Sequence, residues 1–401
     1  MAKKIVSRRS FLKSAAISAI GIVAAGCQAR VVEKVVRETV IKEVEKVVKE
    51  TVIVEKEVTK EVQVEKVVEK IVIATPVPEK AEKPAIQSFI VPLCWLFNDE
   101  FVVPAAAIEL GYYKEAGFPS VALVSGGGST GFDPVIAING FDNRVRVGIQ
   151  ASMAEVVKAY AAGVDVIAVG ALLQEEPCSF VTLITEERRA QSPCDFKDRV
   201  VAMQSEAQWY VDLLGKLCSE GPLELGTDFT WISAGWTPDC LMAVGKGACD
   251  FYCCWATNQP FMLEQQGLKK GVDYELFLVA DFLPFYYGDV IITSRNYLER
   301  HPEKVEAFVQ ATMKAAQYVL DHPDEAIEIA SRIEGVDPAH AEWRIPIQNE
   351  LVTSADTEAH GVGYMDIERV QEMIDFLYEN GQIDHAFSAE EMVDNSFILG
   401  S

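Results

Sequence analysis

The chain has 401 residues, of which 49% are hydrophobic and 24% are charged, and its formal net charge is −24 at pH 7. The first 30 residues have a net charge of +6 and residues 31–73 have a net charge of −1, which leaves a net charge of −29 for residues 74–401. A surface this acidic repels nucleic acid, and no basic stripe offsets the repulsion, so we exclude a nucleic-acid partner.

The chain starts with a predicted export signal. SRRSFLK at 7–13 is followed by the apolar run SAAISAIGIVAAG and then by Cys27. Twin arginines before a moderately apolar segment are typical of the twin-arginine route, which carries folded proteins across a membrane. The run is shorter than the roughly 20 residues that span a bilayer, and the alternative is an ordinary N-terminal helix. We predict a signal peptide at 1–27.

The end of this segment predicts a lipid anchor. Ala25-Gly26-Cys27 resembles the acceptor site of bacterial lipoproteins, although those proteins usually have Leu where this chain has Ala24. Acyl chains on Cys27 would hold the protein at the outer face of the cell membrane, in a periplasmic or extracellular location.

Residues 28–86 are predicted to form a spacer. Residues 31–73 are almost wholly Val, Ile, Glu, Lys and Thr, and VVRETVI at 35–41 returns as VVKETVI at 47–53. Valines at intervals of four favour a helix, whereas β-branched residues favour strands, so a coiled coil and an extended stalk both remain open. TPVPEKAEKPA at 75–85 is typical of a linker.

From about residue 87 the pattern alternates between strands and helices. The alternation predicts an α/β fold with ligands at the carboxyl ends of the strands. Strands are predicted at 88–93, 120–125, 144–150, 164–172, 199–204, 228–233 and 287–294, and helices at 104–117, 152–163, 205–221 and within 297–333.

Three stretches carry a family resemblance, namely LCWLFND at 93–99, AIELGYYKEAGF at 107–118, and the run from GDVIITS at 288–294 to AIEIA at 326–330. They resemble the solute-binding proteins of ABC importers, in the branch similar to the fungal thiamine-pyrimidine synthases. That branch includes binders of pyrimidine precursors and of riboflavin.

The resemblance implies a two-lobe periplasmic binding protein fold of type II. Lobe one would hold 87–176 and 290–401, and lobe two would hold 177–289. It also implies partners, which are a small-molecule ligand and the permease and ATPase of the importer. We expect the protein to act as a monomer, anchored to the membrane by its lipid.

Trp95 and Asn98 match the W-x-x-N pattern with which the family pocket begins. An indole offers a face for stacking on a heteroaromatic ring, and an amide both donates and accepts hydrogen bonds, which suits a pyrimidine edge. The alternative is that Trp95 belongs to the core.

Further candidates lie where predicted strands meet helices or where the lobes would join. Each serine in the first two pairs has the alternative role of a helix cap, and one of the two tyrosines is expected to be structural packing. The candidate ligand-binding residues are Gln150 and Ser152, Gln204 and Ser205, Glu176 at the first crossover, and Tyr286 and Tyr287 at the second.

GACDFYCCWATN at 247–258 suggests a metal or redox centre, but its cysteines have no histidine or second pair nearby in sequence. The resemblance implies that Trp255 faces the ligand and that Asn258 follows it. We therefore interpret Cys249, Cys253 and Cys254 as small packing residues and predict no metal. Disulfides, for example to Cys218 or Cys240, remain open.

Enzymatic function is not favoured. All five histidines lie beyond residue 300, and SGGGSTG at 125–131 lacks the Gly-Lys-Ser/Thr ending of a phosphate loop. The fungal synthases carry a CCCFC run, of which only Cys253-Cys254 is present. We predict a binding protein without a cofactor, and a pyrimidine synthase-like enzyme is the alternative.

The ligand is predicted from aromatic content and charge. Four tryptophans in or near loops favour a planar ring, and the acidic net charge disfavours phosphate esters. Riboflavin is the first choice, and a thiamine pyrimidine precursor is the alternative.

Overall fold

The computed structural model describes residues 89–127, 133–140, 142–203, 213–245 and 247–398. The predicted signal peptide, Cys27, the spacer, Gln204 and Ser205 lie outside these residues. Contacts divide the chain into Met1–Ala81 and Glu82–Ser401, and the described residues all belong to the second unit. Among the described residues, no helix is long and apolar enough to cross a membrane.

The strands of this unit are short and mostly buried. They are β1 (Phe89–Pro92), β2 (Val121–Val124), β3 (Val147–Gln150), β4 (Ile167–Ala171), β5 (Cys178–Leu183), β6 (Val200–Met203), β7 (Thr230–Ser233), β8 (Phe251–Trp255), β9 (Tyr274–Leu278) and β10 (Val290–Thr293).

The helices lie between and after the strands. The described α-helices are α1 (Val102–Glu109), α2 (Tyr112–Glu115), α3 (Pro134–Ile138), α4 (Met153–Ala161), α5 (Asp239–Met242), α6 (Gln259–Gln265), α7 (Arg295–Arg300), α8 (Pro302–Asp321), α9 (Pro323–Ser331), α10 (Pro338–Val352), α11 (Ala355–His360) and α12 (Ile367–Glu379). Residues 213–216 are also helical. Short 3₁₀ helices occupy Asp99–Phe101, Pro193–Phe196, Val279–Asp281 and Ala389–Glu391.

The strands form two groups. In the first sheet group, β1 pairs in parallel with β2, and β10 lies antiparallel between β3 and β4. Two isolated parallel bridges, from Ile90 to Val145 and from Leu93 to Ile149, link the β1 segment to the β3 segment. The second sheet group has the order β7-β6-β8-β5-β9. The chain therefore crosses from the first group to the second after Ala171 and returns before Val290.

Two predicted helical stretches are interrupted at glycine or proline. The helix expected at 104–117 divides into α1 and α2 at Gly111, whose φ of +80° disfavours other residues. The stretch 297–333 divides into α7, α8 and α9, because Pro302 and Pro323 each start a new helix. Proline fits the first turn of a helix better than its interior, which explains these two breaks.

Two disulfides lie in the part of the chain that forms the second sheet group, between β5 and β8. Cys194 is bonded to Cys218 and Cys240 to Cys249. The interpretation of Cys249 as a mere packing residue is therefore wrong, because short-range sequence spacing does not reveal which loops fold onto each other. Cys94, Cys178, Cys253 and Cys254 are free and buried.

Candidate functional site

The segment after β1 is held by the glycine-rich loop at 125–127. The N–H of Gly126 donates to the carbonyl of Trp95 at 2.9 Å, and the N–H of Phe97 donates to Oγ of Ser125 at 2.9 Å. Gly127 has a φ of +89°, and a Cβ there would lie 2.7 Å from the indole of Trp95. The loop therefore supports the indole from behind, at a distance that only glycine permits.

The indole of Trp95 reaches the second sheet group. Its ring centroid lies 4.5 Å from that of Trp236, with the planes tilted by 54°. Trp236 follows β7 and is 51% exposed, whereas Trp95 is half-buried. The two rings thus form an aromatic contact between the sheet groups that is accessible from solvent.

Asn98 has a local structural role. Its side-chain oxygen accepts a hydrogen bond from the N–H of Glu100 at 2.8 Å and so caps the short 3₁₀ helix Asp99–Phe101. This cap directs Asp99 and Glu100 inward, towards α10.

Arg344 on α10 binds both acids and the second sheet group. Its guanidinium, 1% exposed, donates to Oδ1 of Asp99 at 3.2 Å, to Oε2 of Glu100 at 3.1 Å and to Oγ1 of Thr257 at 3.2 Å. Nδ1 of His340 lies 2.7 Å from Oδ2 of Asp99. Burial alone would raise the pKa of Asp99, but the His340 hydrogen bond and the Arg344 charge hold it below its usual value.

A second polar contact joins α10 to the second sheet group. Nε1 of Trp343 donates to Oε2 of Glu264 on α6 at 3.0 Å. The ring of Phe261, also on α6, lies 5.0 Å from that of His340 and 5.5 Å from that of Trp343. The helix that carries Arg344 therefore packs directly against α6.

Two acidic side chains and a thiol lie close together near Arg344, which binds one of the two acids. Sγ of Cys94 and carboxylate oxygens of Glu100 and Asp289 all lie within 4.8 Å of one another, a spacing that suits a metal ion. Burial, assisted by the neighbouring carboxylates, raises the pKa of Asp289 and of the Cys94 thiol well above their usual values. Burial likewise raises the pKa of Glu100, although Arg344 opposes the rise.

Glu176 in the first crossover is fully buried, and within the described residues neither of its carboxylate oxygens has a hydrogen-bond partner. Burial raises the pKa of Glu176 to about 8, and the adjacent Ser152 hydroxyl and Cys178 backbone only partly offset the rise. The carboxyl group is therefore largely protonated at neutral pH.

Other residues predicted to bind the ligand make mainly local contacts. Ser152 caps α4, its hydroxyl accepting from the N–H of Ala154 at 3.3 Å, and Gln150 is buried with its side-chain oxygen bound to the N–H of Ala151. Trp255 at the end of β8 and Asn258 just before α6 are both half-buried, on either side of Thr257.

The two tyrosines are fully buried in the second crossover. The hydroxyl of Tyr287 accepts from the N–H of Asp366, and the Arg369 guanidinium lies 3.9 Å from the centre of its ring. Tyr287 is thus a packing residue that fastens α12. Tyr286 lies near Glu176, since burial and then the Glu176 charge raise the pKa of its phenol.

The described site residues come from regions far apart in the chain. Trp95 contacts Trp236, and Arg344 joins Asp99 and Glu100, which follow Asn98, to Thr257. Glu176 is fully buried in the first crossover. The residues that the sequence left unassigned are Cys94, Asp99, Glu100, Trp236, Thr257, Glu264, Asp289, His340, Trp343 and Arg344. Only Trp236, as a loop tryptophan, carried a signal.

A family model described as NMT1/THI5 like matches residues 98–326. The chain belongs to the NMT1/THI5-like family. This membership confirms the resemblance found in the sequence at the level of the family, and it leaves the ligand open.

Solved structures confirm the α/β periplasmic binding protein fold. The alkanesulfonate-binding protein from Xanthomonas axonopodis pv. citri, bound to MOPS, is 16% identical, with a TM-score of 0.53 over 79% of this chain and all of that one. The desulfurization enzyme DSZB is 14% identical, with a TM-score of 0.50 over 77% of this chain and 97% of that one. This fold of the NMT1/THI5-like family is therefore shared by a binding protein and an enzyme.

One curated relative shares sequence as well. The putative aliphatic sulfonates-binding protein of Bacillus subtilis (strain 168) is 24% identical over 160 residues, which are 39% of this chain and 43% of the relative. The match thus spans less than half the length of either protein.

Proposed function

We propose that this protein is the extracytoplasmic solute-binding protein of an ABC importer. The contact between Trp95 and Trp236 carries the proposal, because it places an aromatic surface from each sheet group at one accessible position. Lobes at 87–176 with 290–401 and at 177–289 would close over the ligand there, and closing lobes bury most of a small molecule. The permease and ATPase of the importer would receive it, while a lipid at Cys27 keeps the protein at the membrane.

The charges near this position favour a neutral or basic ligand over a sulfonate. Arg344 is already engaged by Asp99 and Glu100, so its charge is not free to bind a sulfonate. A sulfonate would have to displace a carboxylate from Arg344, whereas an amino group or a basic ring nitrogen can form hydrogen bonds with the carboxyl groups of Glu100 and Asp289 without doing so. The sulfonate ligands named for the relatives therefore do not carry over easily to this site.

A thiamine pyrimidine precursor fits these charges better than riboflavin. Both rings are planar and would stack on Trp95 or Trp236. The aminopyrimidine carries an exocyclic amino group and a basic ring nitrogen, which form paired hydrogen bonds with carboxyl groups. The isoalloxazine of riboflavin is neutral and has mainly acceptors on its edge. We therefore place the aminopyrimidine first and keep riboflavin as the second candidate.

Calorimetric titration in the presence of a chelator tests the proposal. We expect saturable heat with 4-amino-5-hydroxymethyl-2-methylpyrimidine, less with riboflavin and none with MOPS. Trp95→Leu should weaken binding at least tenfold, because stacking and burial of a ring are lost together. The control is Trp231→Phe on β7, whose ring packs against the hydrophobic core instead. Saturable binding of MOPS alone would overturn the choice of ligand.

The binding role excludes turnover. The purified protein, supplied with iron and candidate substrates, should form no pyrimidine product. Formation of product would instead support the synthase-like enzyme, which the shared fold leaves open.

A further inference from the structure

Three potential metal ligands meet at the junction of the two sheet groups. Sγ of Cys94 lies 3.9 Å from Oδ1 of Asp289, and a carboxylate oxygen of Glu100 lies within 4.8 Å of both residues' ligand atoms. All three side chains are at least nine-tenths buried. Metal–sulfur and metal–oxygen bonds are about 2.3 and 2.0–2.2 Å long, so one ion between these atoms requires only small side-chain movements.

Glu176 supplies an independent sign that this position takes a cation. It is fully buried, and neither of its oxygens has a hydrogen-bond partner among the described residues. A Cβ on Gly288 would lie 2.9 Å from the carbonyl oxygen of Glu175 and 3.1 Å from the ring of Pro177, so the segment with Glu176 packs beside the one with Asp289. A buried carboxyl group without a partner is costly, and a cation next to it removes that cost.

Arg344 does not fill this role. Its guanidinium binds Oε2 of Glu100, Oδ1 of Asp99 and the hydroxyl of Thr257. A carboxylate has two oxygens, so Glu100 can hold Arg344 with one and an ion with the other. Cys94, Asp289 and Glu176 are left without an ion pair to Arg344 within hydrogen-bonding distance in the described part of the chain.

We propose that Cys94, Glu100 and Asp289 bind one divalent transition-metal ion, near the buried carboxyl group of Glu176. A thiolate among the ligands favours Zn²⁺ and similar ions over Mg²⁺ and Ca²⁺, which prefer oxygen alone. The thiol loses its proton when its sulfur coordinates the ion. Two ligands follow β1 and the third lies in the second crossover, so the ion ties together segments at which the sheet groups join.

Cobalt titration of the mature protein tests the site without any organic ligand. After removal of metal with a chelator, we expect one equivalent of Co²⁺ to bind and to produce a thiolate-to-cobalt charge-transfer absorption in the near ultraviolet. Cys94→Ser should abolish this absorption, and excess Zn²⁺ should displace it from the wild type. Cys254→Ser is the matched control, because Cys254 is an equally buried free thiol that forms a hydrogen bond with Ser179 instead.

A second variant keeps the test decisive if Cys94→Ser fails to fold. Asp289→Asn retains the thiol and should weaken Co²⁺ binding at least tenfold, since loss of an outer-shell partner alone costs 10–100-fold. The proposal is overturned if the wild type shows no charge-transfer absorption, if Cys94→Ser keeps it, or if Asp289→Asn binds Co²⁺ as tightly as the wild type. None of these outcomes bears on pyrimidine binding, which is measured with a chelator present.

Discussion

The guanidinium of Arg344 donates to the hydroxyl of Thr257 at 3.2 Å, and this hydrogen bond joins α10 to the turn before α6. A hydrogen bond to a charged group contributes about 1.5–3 kcal/mol, and Arg344 keeps its two carboxylate partners when Thr257 is lost. We expect Thr257→Val to lower the free energy of unfolding by about 1–2 kcal/mol, measured by urea denaturation. Thr230→Val, on the exposed face of β7, should change it by less than about 0.5 kcal/mol. Equal losses in both variants would contradict the role of the bond.

Gly127 supports the indole of Trp95, and its substitution should displace that ring. Gly127→Ala adds a Cβ that would lie 2.7 Å from the indole, in a backbone conformation with φ of +89°. We expect at least a tenfold loss of ligand affinity by calorimetry. Gly117→Ala is the control, because its φ of +95° imposes similar strain of about 1–2 kcal/mol while no atom lies within 4 Å. Binding that weakens equally in both variants would show that strain alone is responsible.

Glu176 should make the stability of the protein fall as the pH rises. Its pKa is about 8 in the folded protein and near 4.5 in the unfolded chain, so between these values only the folded state holds the proton. The free energy of unfolding therefore decreases across this window, by up to about 5 kcal/mol relative to Glu176→Gln. Urea denaturation at pH 4.5 to 9 with a chelator present measures the difference. The exposed neighbour variant Glu175→Gln should follow the wild type at every pH.

The bond between Cys194 and Cys218 spans 24 residues of the chain. Such a cross-link reduces the entropy of the unfolded state and stabilises the fold by about 3 kcal/mol. We expect Cys194→Ser to lower the free energy of unfolding by about this amount and to reduce its sensitivity to reductant by roughly half, because the bond between Cys240 and Cys249 remains. Cys178→Ser, which replaces a free thiol, should leave the reductant effect unchanged. An unaltered response in Cys194→Ser would contradict the bond.

Cys27 is expected to anchor the exported protein. Cys27→Ala should move the protein from the membrane fraction to the soluble extracytoplasmic fraction, since the acyl chains that hold it are no longer attached. Replacement of Arg8 and Arg9 by Lys should instead retain it inside the cell. Immunoblots of fractionated cells measure both effects, and a membrane-bound Cys27→Ala protein would exclude lipidation as the anchor.

Much of the fold was predictable because it rests on local pattern. The buried strand β10 shows in the sequence as a continuous apolar run, and the long amphipathic face of α8 shows as helical periodicity. The breaks at Pro302 and Pro323 are also local, because proline favours the first turn of a helix and disfavours its interior. Trp95 was predictable only through the family resemblance.

The acidic part of the site was not predictable in the same way. Cys94 and Asp289 are 195 residues apart, and Arg344 lies on a helix whose own sequence shows no sign of a partner at Asp99. Their proximity depends on the chain returning to the first sheet group at β10, which is a property of topology. The spacing within GACDFYCCWATN indicates a cluster, whereas its cysteines bond or pack locally.

Two crossovers, not one, connect the sheet groups, and Gly288 in the second leaves no room for a side chain against Glu175 and Pro177 of the first. One connecting segment allows rotation in any direction. Two segments packed side by side allow bending about one axis and resist twisting. A residue larger than glycine at 288 would separate the two segments. The position of Trp95 relative to Trp236 therefore depends on the absence of a Cβ at residue 288.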